Sequence, residues 1–357
     1  MTTILYIGTW VPLIGRNFHF APFKKFVIPL LLLLVVGFIC SAINSEYVTE
    51  IKFAFAYRTL LLIVLMTFIA AHLYCKPKIL PVVLNSYVAS MLLVFLLVTI
   101  GEGVTIVNNR ILLFGENPNI MGAKASLAFL IAISRLINNF SIKRLLLIGA
   151  VCIPLTTLVA TSGSRGAFIS MFLGLAVLLW YRKMGVLKKS ALIIFAALAS
   201  VMLIAYLLET NPIMAERFLE TVEKGETGRN VLWDAAFDII SDNIIVGVGF
   251  QGVIPMMYKY SGIYLVPHNI FLYVFIAAGL PGIILFITFL VRLFKLLMVH
   301  FKKSGDSLNL VLFVIVVFNM SKQGGSIGKT LFWFFFAVLI GSTVHVLSNV
   351  KQEKLVQ

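Results

Sequence analysis

Charge is scarce in this sequence. Of 357 residues only 12% are charged, and 14 acidic side chains face 29 Lys and Arg. Hydrophobic residues make up 61% and the mean hydropathy is +1.03, whereas soluble domains are about half apolar and a quarter charged. A soluble globular protein is therefore excluded. Cysteine is scarce too. Cys40, Cys75 and Cys152 sit in or beside apolar runs without CxxC or His spacing, so neither a disulfide framework nor a zinc site is suggested. No internal repeat is visible, which weakens a reading as a transporter built from paired halves. The N-terminus lacks the charged region, short apolar region and cleavage site of a secretory signal, so targeting by uncleaved spans is expected.

What the sequence has in abundance is long apolar runs. A spanning helix needs about 20 mostly apolar residues. Runs that qualify, some of them short, cover 26–42, 53–74, 79–100, 119–137, 145–161, 167–180, 191–208, 269–290, 308–318 and 331–347. The expectation is an all-α, polytopic membrane bundle of about ten helices, up to about twelve if the weak run 4–13 and its neighbours count. The expected organisation is an N-terminal transmembrane bundle over 1–208, a long extracytoplasmic loop over 209–268, and C-terminal transmembrane helices over 269–357.

The basic excess could mark a nucleic-acid partner or a topology signal. Summed over alternate loops with the N-terminus in the cytoplasm, the charge is +16 on that side and −1 on the other. Every cytoplasmic loop is then basic, as the positive-inside rule requires, and no nucleic acid is needed to explain the excess. Only Asp306 and Glu353 face the cytoplasm, and no DxD motif occurs anywhere. An enzyme that holds a nucleotide diphosphate through a carboxylate-bound divalent metal on that side is therefore disfavoured.

The loop at 209–268 is long enough to suggest function. It holds a candidate amphipathic helix over 230–241, with Val231, Ala235 and Ile239 alternating by four with Leu232, Ala236 and Ile240, and then the Gly-rich stretch VGVGFQG at 246–252. The loop is expected to pack on the membrane surface as the lid or wall of a cavity.

Charged residues at the edges of apolar helices are costly and call for a functional hypothesis. On the expected outer side these are Arg58, Lys124, Arg165, Arg229 and His268. Arg165 stands in TSGSRGAF, where glycines and serines suit a tight turn whose backbone N–H groups and helix N-terminus make an anion site. A snorkelling arginine that anchors a helix end is the alternative. Arg229 stands in GRNVLW before the amphipathic helix, where a plain solvated arginine would be ordinary. His268 stands in PHNIFLYVFIAAGLPG, where an imidazole can act as acid, base or donor, or serve only as a polar interfacial residue.

Together the motifs resemble the O-antigen ligase and polymerase superfamily. SRGA opens a span, an Arg precedes a Trp-bearing helix and a GvGf turn, and HN opens a helix that reaches GlpG. Upstream, ENPNIMGAK at 116–124 resembles the NpN segment of that family, so the resemblance covers 117–287. One departure is the absence of a Pro before the GvGf turn, where this chain has Asn243 to Ile245. The chain is also shorter than many members, with the deficit in its N-terminal region.

The resemblance implies a GT-C-like membrane glycosyltransferase. Its donor would be a glycan on undecaprenyl diphosphate, and its acceptor a sugar hydroxyl on lipid A core or a similar glycolipid. The reaction would run with inversion and without metal or other cofactor, at the outer face of the bacterial cytoplasmic membrane. A polymerase of O-antigen, capsule or exopolysaccharide repeats shares the motifs and is the alternative. By the same resemblance His268, Arg165 and Arg229 are catalytic. Arg165 and Arg229 would grip the diphosphate, with Lys124, Arg58 and Asn119 as further substrate contacts. Arg58, about 8 Å inside the expected helix start, would reach the interface by snorkelling. A lipid-linked glycan flippase would spread its charges along several helices, and an intramembrane protease built on Ser164 and His268 would leave Arg165 unexplained.

Overall fold

A computed structural model describes residues 20–107, 110–138, 141–181, 229–322 and 327–344, with scattered positions between 185 and 209. The run at 4–13 lies outside the described residues, as does the span expected at 191–208 save positions 194, 205 and 206. The chain divides into two compact units that interleave in sequence. The first holds Met1–Leu80, Gly228–Lys303 and Met320–Gln357, and the second Pro81–Thr227 and Ser304–Asn319.

In the first unit α1 (Lys24–Ile43) leads to a short α2 (Ile51–Ala54) and then α3 (Tyr57–Cys75). The sequence suggested one helix from residue 53. Instead Ala56 is left-handed at φ 47° and resets the chain, so the long helix begins at Tyr57. Against α3 lies α12 (Thr330–Thr343), in which every residue from Leu331 on except Phe334 is buried. A helix apolar on all sides belongs inside a bundle. In lipid the gain comes from close packing, because the tails are as apolar as leucine. Gly341 allows this approach: a Cβ there would lie 2.6 Å from the Ala70 carbonyl oxygen.

The loop segment of this unit folds into α8 (Arg229–Asp242) and α9 (Val253–Ser261). The amphipathic helix foreseen at 230–241 is present. Its buried stripe is Leu232, Ala235, Ala236 and Ile239, while Val231 is exposed.

The last long helix, α10 (Ile270–Ser304), is broken at Gly279, with φ 62° and ψ −165°. That break and Pro281, which has no N–H, strip Ile276, Ala277 and Leu280 of helical partners. The Gly-rich stretch supplies replacements. Val248 N–H donates to Ile276 O at 2.8 Å, Gly249 N–H to Ala277 O at 2.9 Å, and Leu280 N–H to Ile244 O at 2.8 Å. Gly247 and Gly279 permit the contact, since a Cβ on Gly247 would lie 2.5 Å from Gly279 N. The other flank of the stretch is held by α1. Phe250 N–H donates to Ser41 Oγ at 3.2 Å and Asn44 Nδ2 to Gly247 O at 3.2 Å.

In the second unit α4 (Leu80–Ile100) runs into a hairpin of β1 (Val104–Val107) and β2 (Arg110–Leu113), with Val107 opposite Arg110. These strands correct the all-α expectation. After them come α5 (Pro118–Asn138), α6 (Ile142–Thr161) and α7 (Arg165–Trp180), with α11 (Leu308–Met320) returning later. Helix α5 packs on both α6 and α7. Gly122 brings it to 2.5 Å, measured from an added Cβ, of Ser162 Oγ.

Among the described residues five helices have the length and apolarity to cross a membrane: Lys24–Ile43, Tyr57–Cys75, Pro77–Ile100, Ile142–Thr161 and Ile270–Ser304. Helices α7, α11 and α12 are apolar but shorter. The molecule is a predominantly helical, multi-pass membrane protein.

Candidate functional site

The turn that carries Arg165 is built from its serines. Ser162 Oγ donates to Val159 O at 2.7 Å and accepts from Ser164 N–H at 3.2 Å. Gly163 takes φ 58°, and Ser164 caps α7 by accepting from Ala167 N–H at 3.3 Å. Arg165 is thus the first residue of α7, half-buried at a capped helix N-terminus. Ser164 spends its hydroxyl on the cap, a structural task.

Arg110, which the sequence reading passed over, clamps this turn. From β2 its Nε and Nη2 donate to Ser162 O at 3.3 and 3.0 Å, and Nη2 donates to Asn119 Oδ1 at 2.7 Å. The Ser162 carbonyl lies at the C-terminus of α6, where carbonyls lack helical partners and a cation is favoured. Asn119 is the second residue of α5, whose start is set by Pro118 and by Asn117 Oδ1 accepting from Asn119 N–H at 2.9 Å. Asn119 and the Arg165 turn are therefore brought together through Arg110. Lys124, one helical turn further on, pairs with Glu116 at 2.5 Å. To hold a phosphate it would have to exchange that partner.

In the first unit Arg229 opens α8, and Trp233 Nε1 donates to Pro267 O at 3.0 Å, tying that helix to the residue before His268. His268 is left-handed at φ 50°, a conformation rare outside glycine and less so for Asn, Asp and His. The residue after it explains the geometry. Asn269 Oδ1 accepts from Phe271 N–H at 2.9 Å and from Leu272 N–H at 3.4 Å, so Asn269 caps α10 and His268 turns the chain into it.

Burial holds the His268 pKa below its usual 6.5, and the positive charges of Arg229 and Lys329 lower it further. Burial also lowers the Lys322 pKa, helped by the charge of Arg229. Arg229, His268, Lys322 and Lys329 therefore form one basic cluster. Lys329 is the N-cap residue of α12, and the loop before it is fixed by Trp333 Nε1 donating to Ile327 O at 2.6 Å. The sequence reading missed both lysines. Their signal was a Gly-rich loop, SKQGGSIGK, flanked by two cations on a face otherwise near neutral.

Arg58 belongs to the same unit but sits exposed in the first turn of α3. It stands at the very start of the helix rather than about 8 Å inside it as expected, because the break at Ala56 moves the helix start.

An imidazole held toward its neutral form by burial and by the charges of Arg229 and Lys329 is suited to a substrate that brings its own negative charge. A comparison with known families finds one similarity: residues 149–287 match the family model described as O-antigen ligase. That match covers part of the chain. It ends at the residue where the motif resemblance ends and includes Arg165, Arg229 and His268. The NpN-like segment, Arg110, Lys322 and Lys329 lie outside the matched O-antigen ligase region. No curated protein matches the chain. Over the matched residues the chain is therefore similar to the O-antigen ligase family.

Proposed function

We propose that the protein is an O-antigen ligase that moves a glycan from undecaprenyl diphosphate to a sugar hydroxyl on lipid A core or a similar glycolipid. The reaction takes place at the outer face of the bacterial cytoplasmic membrane. The observation that carries this reading is His268, whose pKa burial and the charges of Arg229 and Lys329 depress, with Arg229 in turn acting on Lys322.

The donor's leaving group is a diphosphate and needs no activation by a nucleophile on the enzyme. It needs cations that hold the phosphates as negative charge builds on the departing oxygen. Arg229 supplies a fork that matches phosphate oxygens and stays charged, while Lys322 and Lys329 supply point charges. Arg165 takes the same phosphate-binding task, its guanidinium beside the N-terminus of α7. Arg58, Lys124 and Asn119 are secondary contacts.

Burial and the charges of Arg229 and Lys329 lower the His268 pKa, which favours the neutral imidazole. In that state it accepts the proton of the acceptor hydroxyl as the oxygen attacks the anomeric carbon. The C–O bond to the diphosphate breaks on the opposite face, so configuration inverts. The arriving diphosphate reverses the local field and raises the imidazole's proton affinity, so the base strengthens when substrate is present.

The test is glycan transfer by purified, reconstituted protein from a synthetic lipid diphosphate donor. His268→Ala, Arg165→Ala and Arg229→Ala are each expected to lose transfer by about a hundredfold or more while inserting normally. Full activity in any of them removes that residue from the mechanism. Product that grows by repeats on the lipid carrier, rather than appearing on the acceptor, would make the enzyme a polymerase. Labelling of a cysteine at position 229 only from the cytoplasm would overturn the topology.

A further inference from the structure

Away from these residues, α4, α5 and α6 of the second unit line an open groove of about 550 Å³, within the range of about 300–1,000 Å³ common for small-ligand sites. Its lining is sorted by polarity. Asn85 lies in the second turn of α4, Arg135 in the last turn of α5 and Arg144 in the first turn of α6, so all three polar residues cluster at one end of the antiparallel trio. Beyond them the wall is apolar, with Leu92, Ala132 and Val151 furthest along their helices from that end. From Asn85 to Leu92, and from Arg144 to Val151, the helices advance roughly 10 Å at 1.5 Å per residue. No acidic residue lines the groove.

We infer that this groove binds an anionic phospholipid, with its phosphate between Arg135 and Arg144 and an acyl chain along the apolar wall. Two guanidiniums without a carboxylate among the lining residues complement a phosphodiester, and arginine grips phosphate oxygens in bidentate fashion. A soluble anion would leave the apolar half of the groove filled with water. A chain-bearing phosphate satisfies both ends at once, and basic pockets between transmembrane helices are suited to such headgroups. The polar end coincides with the helix termini that carry Lys78 and Lys143, where the membrane surface attracts cations. The site is separate from the glycan-transfer reading and stands or falls without it.

The test is native mass spectrometry of the full-length protein, delipidated in detergent and titrated with dioleoylphosphatidylglycerol or dioleoylphosphatidylcholine. Each basic side chain near a membrane phosphate is worth about fivefold in binding, so Arg135→Ala/Arg144→Ala is expected to weaken phosphatidylglycerol binding about thirtyfold. The double lysine variant should retain most of it. Lys143→Ala, next in sequence but absent from the lining, should stay within about twofold of wild type. Should the arginine variants fail to fold, Ala89→Trp keeps both arginines and fills the groove, and it is expected to abolish retention of the lipid. The inference is overturned if the double alanine variant binds phosphatidylglycerol within threefold of wild type. Equal retention of phosphatidylcholine, or binding undiminished in Ala89→Trp, overturns it as well.

Discussion

Arg110→Ala is the sharpest test of how the second unit is held. The guanidinium makes contacts of 3.3 and 3.0 Å to one carbonyl, Ser162 O, and one of 2.7 Å to Asn119 Oδ1. The two contacts to Ser162 share an acceptor and count once. Hydrogen bonds with a charged partner contribute about 1.5–3 kcal/mol each, which gives about 3–6 kcal/mol before solvent is considered. Arg110 is half-buried, so water re-solvates part of what the substitution frees, and the net loss should be about 2–3 kcal/mol. For a cooperative unit of this size that lowers Tm by about 4–12 °C. The assay is thermal unfolding in detergent at one fixed scan rate, because membrane proteins seldom unfold reversibly. Arg110→Lys keeps the charge but not the fork and should lose about half as much. Arg58→Ala, on an exposed side chain, should not move Tm. Arg165→Ala should cost transfer with little change in Tm, the reverse of the pattern at Arg110. An Arg110→Ala protein that melts within about 1 °C of wild type would refute the clamp.

Lys329→Met removes one of the charges that lower the His268 pKa, so the pKa should rise. The acid limb of kcat/KM should then move to higher pH, and a limb that stays or moves down excludes Lys329 from the cluster. Gly279→Ala puts a side chain at φ 62°, ψ −165°, a nearly glycine-only region that costs about 1–3 kcal/mol, and its Cβ would meet the Ile245 carbonyl. Stability and transfer should fall together, and a variant with wild-type values of both would show the break to be dispensable. Trp233→Phe deletes only the 3.0 Å bond to Pro267 O. It should lower kcat about tenfold through misplacement of His268, with donor affinity, read by equilibrium binding, nearly unchanged.

The positions of most helices were legible because apolar runs of this length leave few alternatives. The starts of α1, α4, α5, α6, α7 and α12 fall within three residues of expectation. Breaks within an apolar run were not legible. Ala56, left-handed at φ 47°, carries no glycine or proline signal. The hairpin did leave a trace, since VTIV and RILL flank Asn-Asn, a pair that tolerates the positive φ of tight turns. Apolar β-branched runs inside a membrane sequence are easily absorbed into a helix reading. His268, Arg229 and Arg165 were found because each stands in a distinctive string. Arg110 was not, because its role depends on a helix C-terminus contributed from 52 positions away.

The glycine-rich motifs acquire a physical role that is distinct from chemistry. A helix broken inside a membrane protein must have its freed backbone groups satisfied by protein, because lipid offers no partners. Residues 244–249 do this for α10, and their glycines are required by the closeness of two backbones. The consequence reaches the site. Helix α8 starts at Arg229 and ends just before the paired stretch, while α10 starts just after His268 and runs to the break that this stretch fills. The two helical segments are therefore joined at one end by the backbone pairing and at the other by Trp233 to Pro267. Two ties at opposite ends fix both translation and tilt, which one tie cannot do. The spacing between Arg229 and His268 is then set by residues that touch neither. On this argument Gly279→Ala and Trp233→Phe should impair transfer in the same way, and the double variant should lose less than the product of the two single losses.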